Sequence, residues 1–261
     1  DISLLLVRDR EEKARAYINA CRHRGARLVE GKGHKASFSC PFHAWNWGLD
    51  GKIIARPNSH EGFAAADDCF DRLVELPCYE IAGLIFVLLE GEDIESKVHA
   101  LMGESLLDIE NYNISETKYI DSRTTELACN YKFFLDGFAE TYHIASLHKE
   151  TISPFYYSNS TLVDQLGEVV HLVSPRKTID KEFEKTQSEQ GAILPYCTTE
   201  YLLAPNVLLT HQVDHIQFWT AYPVDGANRC RIELNVFWPN PMDDEAERKA
   251  KLNVDLVWQV T

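Results

Sequence analysis

Four residues in the first part of the chain have the types and spacing to bind metal. Cys21 and His23 form a Cys-x-His pair, Cys40 and His43 a Cys-x-x-His pair, and 16 residues separate the two. Thiolate and imidazole are ligands for zinc and for iron–sulfur centres. Common zinc fingers place both cysteines in one knuckle and both histidines on a helix. Here each knuckle carries one Cys and one His, and the flanking residues are turn-forming rather than helical. That split suits a two-iron cluster in which one iron has two Cys and the other two His, because neutral imidazoles leave less negative charge on the cluster and raise its potential. A structural zinc ion and ordinary core cysteines are the competing readings.

A second group follows 100 residues after His43, in NYKFFLDGFAETYHIASLH. His143 and His148 stand at i and i+5, so a helix must bend or end between them if both are to reach one metal. Two His with one carboxylate form the facial triad of oxygen-activating ferrous enzymes. Surface or hydrogen-bonding histidines are the competing reading. Weaker signals lie further on. His211 and His215 flank Asp214 in a strand-like run, where i and i+4 share a face, and a pocket wall or a satisfied polar pair is preferred there to a second metal site. Phe133, Phe134, Phe155, Tyr156, Tyr157, Leu203, Phe218 and Trp219 are candidates to line an apolar cavity, with core packing an equally good account of each.

The elements that must position these residues divide at about residue 90. Before it, short strand-like runs (Leu4 to Val7, Arg15 to Asn19, Ala36 to Cys40, Ala44 to Gly48, Leu73 to Tyr79, Gly83 to Leu89) are punctuated by Gly, Pro and Asp. A small all-β domain is expected, with a weak helical pattern only at 64–73. Beyond GEDIES at 91–96 the character becomes α+β with antiparallel strands. Asn111 to Asp121, Glu200 to Thr210, Ile216 to Tyr222 and Arg231 to Trp238 read as strands and Ala128 to Ile144 as helical. DDEAERKAKLNVDLVWQV, acidic in its first turn, reads as a helix. Residues 175–190 are polar and suit an exposed loop or surface helix.

The composition is that of a globular protein. The chain has 261 residues, 45% of them hydrophobic, and 26 Lys and Arg against 40 Asp and Glu give a formal net charge of −14. Such a charge suits neither a phosphate backbone nor an anionic membrane surface. The longest apolar stretches, such as Ile81 to Leu89, fall far short of the roughly 20 residues that span a bilayer. Seven cysteines are too few and odd in number for a disulfide scaffold. A cytoplasmic protein without nucleic-acid or membrane partners is expected.

CRHRGARLVEG and CPFHAWNWGLDGKI resemble the Rieske motif in the large (alpha) subunit of Rieske non-haem iron ring-hydroxylating oxygenases, down to the arginines beside the first knuckle and Trp45 and Trp47 after the second. Ala44 stands where that family usually has Gly. Asn130-Tyr131-Lys132, Asp136-Gly137-Phe138, Glu140, His143 and His148 are similar to its iron-binding segment. The resemblance implies a [2Fe-2S] cluster on Cys21, His23, Cys40 and His43, and a mononuclear Fe(II) on His143 and His148. It implies for Glu140 the carboxylate that links an iron ligand to a Rieske histidine across a subunit boundary, where Asp is more usual. Asp136 matches a position beside the iron that tunes substrate fit or proton supply, a buried solvating carboxylate being the alternative. The third iron ligand is a C-terminal carboxylate in the family. None of Asp214, Asp243, Asp244 or Asp255 has that context, so it is expected beyond Thr261.

The fold implied is a Rieske domain over residues 1–90 and a catalytic domain over 91–261, a twisted antiparallel sheet flanked by helices, each truncated at its outer end. The function implied is that of a terminal oxygenase. Electrons from a ferredoxin or reductase activate O2, which oxygenates an apolar, aromatic substrate by cis-dihydroxylation, hydroxylation or oxidative dealkylation. A homotrimer, with or without a small β subunit, is implied as well. The alternatives are an electron-transfer or ligand-binding protein with a cluster but no working mononuclear iron, and a zinc-stabilised structural protein.

Overall fold

Alternation of buried with exposed positions sets the short strands of the first unit, with Leu5 of LLLVR and Phe38 of SFS turned inward. A computed structural model of the chain describes residues 2–63, 70–185, 191–239 and 243–260; most of the weak helical pattern at 64–73 and the end of the polar stretch at 175–190 lie outside them. The chain divides into two compact units, Asp1–Val98 and His99–Thr261. The first contains β1 (Leu4–Arg8), β2 (Ala14–Ile18), β3 (Ser37–Ser39), β4 (Asn46–Gly48), β5 (Ile53–Ala55), the single turn α1 (Ser59–Gly62), β6 (Glu75–Leu76), β7 (Cys78–Ile81) and β8 (Leu84–Val87). These form two three-stranded sheets, β1-β2-β6 and β3-β4-β5, and the hairpin β7-β8. Trp47 and Tyr17, fully buried, anchor a core with Leu5, Phe38, Trp45, Cys21 and Cys40.

Two backbone features hold this unit in shape. Gly51 has φ +74°, and a Cβ there would meet the Tyr17 ring at 2.6 Å, so the turn needs glycine on both counts. Asn19 pins the chain after the first knuckle. Its Oδ1 accepts from the amides of Leu28 (3.1 Å) and Val29 (3.2 Å) and its Nδ2 donates to the Val29 carbonyl at 2.8 Å.

The chain continues through α2 (Ile94–Met102), α3 (Ser105–Asn111), β9 (Thr117–Leu127), α4 (Tyr131–Phe138), α5 (Ile144–Leu147), β10 (Leu162–Leu166), β11 (Val169–Pro175), α6 (Asp180–Phe183), β12 (Cys197–Leu203), β13 (Val207–Gln212), β14 (His215–Pro223), β15 (Cys230–Pro239) and α7 (Asp244–Trp258). A seven-stranded sheet in the order β10-β11-β12-β13-β14-β15-β9 is antiparallel at every junction. In β15 every second residue is buried, from Cys230 to Trp238. Ile232, Leu234 and Trp219 from the sheet pack with Leu135 of α4 and Val254 of α7. Each aliphatic side chain of that size contributes roughly 1.5–3 kcal/mol on burial. The architecture is the all-β plus α+β arrangement expected from the sequence.

Three local expectations are corrected. Glu200 to Thr210 is not one strand: it breaks at 204–206, where Pro205 cannot donate to a ladder, into the hairpin β12-β13. Asn111 to Asp121 is split between the end of α3 and the start of β9. The run around Asp214 is a second hairpin, in which Val213 and Asp214 turn β13 into β14 and Gln212 pairs with His215.

Candidate functional site

Each Cys-His knuckle is a turn closed by its own backbone. The Cys21 amide donates to the Ala26 carbonyl and the Gly25 amide to Cys21, both at 2.8 Å; in the second knuckle the Cys40 amide donates to Trp45 at 2.8 Å and Ala44 to Cys40 at 3.0 Å. Gly25 and Ala44 both have positive φ, +71° and +55°. Ala for Gly at 44 is a small-for-small exchange that leaves close backbone packing possible. The structure adds a left-handed backbone, which costs a residue with a Cβ about 1 kcal/mol or more.

The two turns bring all four side chains together. The His23 and His43 rings lie 4.7 Å apart, and His23 stacks on Trp45 at 4.8 Å with planes 6° apart. Cys21 and Cys40 are buried. Burial raises the Cys21 thiol above its ordinary pKa, and the neighbouring Cys40 adds to this. Burial, and then His43, hold the His23 imidazole below its usual value. His23 Nδ1 is buried with no hydrogen-bond partner. A ring nitrogen buried without a partner, beside a second imidazole and two buried thiols, fits a group that takes nitrogen and sulfur ligands.

The second constellation is built on α4 and α5. Asn130 caps α4, its side chain accepting from the Lys132 amide at 2.9 Å. The helix stops at Phe138, and a turn holding Glu140 leads to His143 at the start of α5 and His148 at its end. One four-residue helical turn therefore spans the i, i+5 offset, and the rings come within 5.1 Å at 74° to each other. Glu140 Oε1 lies 2.5 Å from His143 Nδ1, and its Oε2 accepts from the amides of Tyr142 (2.6 Å) and His143 (3.2 Å). Burial opposes the Glu140 charge, but these hydrogen bonds outweigh it and hold the carboxyl below its usual range. Burial, and then His143, lower His148. Asp136 is exposed on α4 and is not part of the cavity wall, so the buried-carboxylate alternative does not describe it.

His143 and His148 line a cavity of about 900 Å³. Phe133, Phe134, Phe155 and Tyr156 form part of its walls. The other four aromatic and apolar candidates do not. Leu203 and Phe218 have the wrong strand parity, Tyr157 lies outside the wall, and Trp219 is core. The floor is polar, crossed by Ser174, Thr198, Gln212 and His215 in one row and Glu200, Thr210 and Gln217 in the next. His211 and His215, expected on one face, lie on opposite faces, because the two-residue turn reverses the chain between them. His215 Nδ1 bonds Asp214 at 2.8 Å on the cavity side, whereas His211 stacks on Tyr112 at 4.0 Å and is pushed down to about 4, chiefly by burial.

Glu200 is the site residue that sequence reasoning missed. Burial alone pushes its carboxyl up to about 8. Its signal was a lone charge at an alternating position of CTTEYLL. Among the described residues, no group of three or more His, Cys, Asp or Glu is arranged around one metal position. Nor is any helix among them long and apolar enough to cross a membrane.

Comparison with known proteins adds the following. The family model for the Rieske [2Fe-2S] domain matches residues 1–80, and that for the ring hydroxylating alpha subunit (catalytic domain) matches residues 109–260. The carnitine monooxygenase oxygenase subunit of Escherichia coli K12 is 31% identical over 172 residues, covering 65% of this chain and 44% of that protein. The chain thus spans under half the length of that curated relative. The quaternary ammonium Rieske monooxygenase CntA, solved with L-carnitine, superposes with a TM-score of 0.76 at 18% identity, over 99% of this chain and 68% of that one. Naphthalene 1,2-dioxygenase from Rhodococcus sp., bound to indole, gives 0.77 at 15% identity, over 96% and 66%. At these identities the two structures establish the fold.

Proposed function

The chain belongs to the ring-hydroxylating alpha-subunit family, and from that premise we propose that it is the terminal oxygenase of a multicomponent system. It takes electrons from a ferredoxin or reductase and uses O2 to oxygenate a small organic substrate with an apolar, aromatic body. The observation that carries this reading is the pair His143 and His148, rings 5.1 Å apart on the wall of a cavity with aromatic sides, in a chain that also holds two Cys-His knuckles.

Cys21, His23, Cys40 and His43 would hold the [2Fe-2S] cluster, and His143 and His148 would supply two of the ligands of the mononuclear iron. When bound, the cluster supplies electrons one at a time and the ferrous iron supplies a place for O2. Glu140 acts on the ligand itself. By engaging His143 Nδ1 it fixes the tautomer and ring orientation, so that Nε2 presents its lone pair to a metal. In the family the corresponding carboxylate also bridges to a Rieske histidine of a neighbouring subunit, and the homotrimer belongs to the same reading. Phe133, Phe134 and Phe155 hold an apolar body and keep water from the reacting carbon.

The test uses the complete polypeptide with an electron donor, 18O2 and a panel of small aromatic and amine substrates. Product carrying 18O, with electron consumption matched to it, is the expected result. Electron uptake without O2-dependent oxygenation of any substrate refutes the reading.

A further inference from the structure

The polar floor of the cavity contains a carboxyl that oxygen chemistry leaves without a task. Glu200 points from the middle of β12 into the cavity, between Leu172 of β11 and Thr210 of β13 in the sheet register. No side chain among the described residues hydrogen-bonds its carboxyl. The hydroxyl of Thr210, directly opposite, is buried and also without a partner. Arg176 does not neutralise Glu200. Its guanidinium is turned to the other row, where Nε donates to Thr198 Oγ1 at 3.3 Å, Nη2 bonds Gln212, and the group lies 5.6 Å from the centre of the Tyr156 ring.

Two neighbouring polar groups on one cavity floor, the half-buried Glu200 carboxyl and the buried Thr210 hydroxyl, both lack a protein partner and mark the place of a ligand group. A carboxyl with no cation of its own, beneath walls of aromatic carbon, complements a positive charge carried on an apolar body. We propose that Glu200 is the specificity-determining residue of this cavity, the counter-ion that selects substrates with a cationic nitrogen, with Thr210 as its polar neighbour. The inference rests on the oxygenase reading only in taking this cavity as the substrate site.

A proton linkage follows. Without a cation beside it, Glu200 is pushed up to about 8 by burial, so a permanent cation binds at neutral pH with release of one proton. Affinity then rises about tenfold per pH unit up to pH 8 and levels off above it. The surrounding groups do not produce that profile. Tyr156 is pushed up by burial and stays neutral. Asp214 stays ionised, since its hydrogen bond with His215 outweighs burial. Burial keeps His148 neutral, and His143 is bonded to Glu140. Arg176 is held on Thr198 and Gln212, and Lys177 and Lys181 are exposed at the rim.

The probes are phenyltrimethylammonium and its neutral carbon isostere tert-butylbenzene, measured by equilibrium dialysis on the full chain between pH 6.5 and 9. Wild-type affinity for the cation is expected to rise with the stated slope and to level near pH 8, while the isostere shows no slope. Glu200→Gln is expected to lose on the order of 30-fold in cation affinity at pH 8, to lose the slope, and to keep the isostere. Absent cation binding, cation binding without a slope, or equal cation affinity in Glu200→Gln each overturns the proposal, and the wild-type profile decides alone if the variant does not fold. Failure of the oxygenase reading shows differently, as normal cation binding with no O2-dependent turnover.

Discussion

Glu200→Gln should stabilise the second unit, and increasingly so as pH rises. The carboxyl faces the cavity without an internal partner, and burial raises it from 4.5 to about 8. Between those values the folded state holds a proton that the unfolded state releases, so stability is lost as pH rises through the window. The shift spans 3.5 units between the two values given for Glu200. At about 1.36 kcal/mol per unit this is a penalty of about 5 kcal/mol above pH 9 and about 3 kcal/mol at pH 7. Glutamine keeps the shape and removes the charge. Urea denaturation of wild type and variant, followed by the fluorescence of Trp219 and Trp258 at pH 6, 7, 8 and 9, reads the difference. The gap in favour of the variant should widen by about 1.4 kcal/mol per pH unit up to pH 8 and then level. A gap that does not change with pH, or a variant less stable at every pH, would show that the folded protein accommodates the ionised carboxylate and would refute the burial argument.

Three further changes test the scaffold. Asn130→Ala removes the cap of α4 and should cost about 1 kcal/mol, visible as faster amide exchange over 131–138 while the Rieske spectrum is unchanged. Leu234→Ala, at a fully buried position under α4 and α7, should cost about 2–5 kcal/mol in the second unit; a loss below 1 kcal/mol in urea denaturation would contradict the core described. Gly51→Ala combines a φ of +74° with a contact at 2.6 Å to Tyr17 and should destabilise the first unit by more than about 1 kcal/mol. Faster bleaching of the visible chromophore in mild denaturant is its readout, and bleaching at the wild-type rate would count against it.

What was legible in the sequence was local. Cys21-x-His23 and Cys40-x-x-His43 encode their knuckles in a few residues, and the five-residue step from His143 to His148 showed that a regular helix could not carry both to one metal, although the short turn α5 that joins them was not foreseen. The helix over 244–258 could be read from its acidic first turn and apolar spacing, and Asp243 caps it by accepting from the Ala246 amide at 2.7 Å. What was missed depends on which strands become neighbours. Val213-Asp214 turns the chain without a glycine or an Asn-Gly signal, so nothing nearby announced that His211 and His215 would part to opposite faces. At 204–206 the signal was present in Pro205, but the apolar residues on both sides masked it. Glu200 in CTTEYLL looks the same on a solvated strand as on one that floors a cavity; only its placement between β11 and β13 turns it into the cavity. Asp136 shows the converse, since one helical turn decides whether a carboxylate meets the cavity or the outside.

The central claim is that this chain carries two separate iron centres, one on each set of histidines. Iron and acid-labile sulfide should be counted per complete polypeptide, with EPR of the reduced protein, in wild type and in His143→Ala/His148→Ala. The account predicts about three irons and about two sulfides in the wild type, and in the variant loss of one iron with both sulfides and the Rieske signal retained. Zinc in place of iron, or an iron content that the double substitution leaves unchanged, would contradict it.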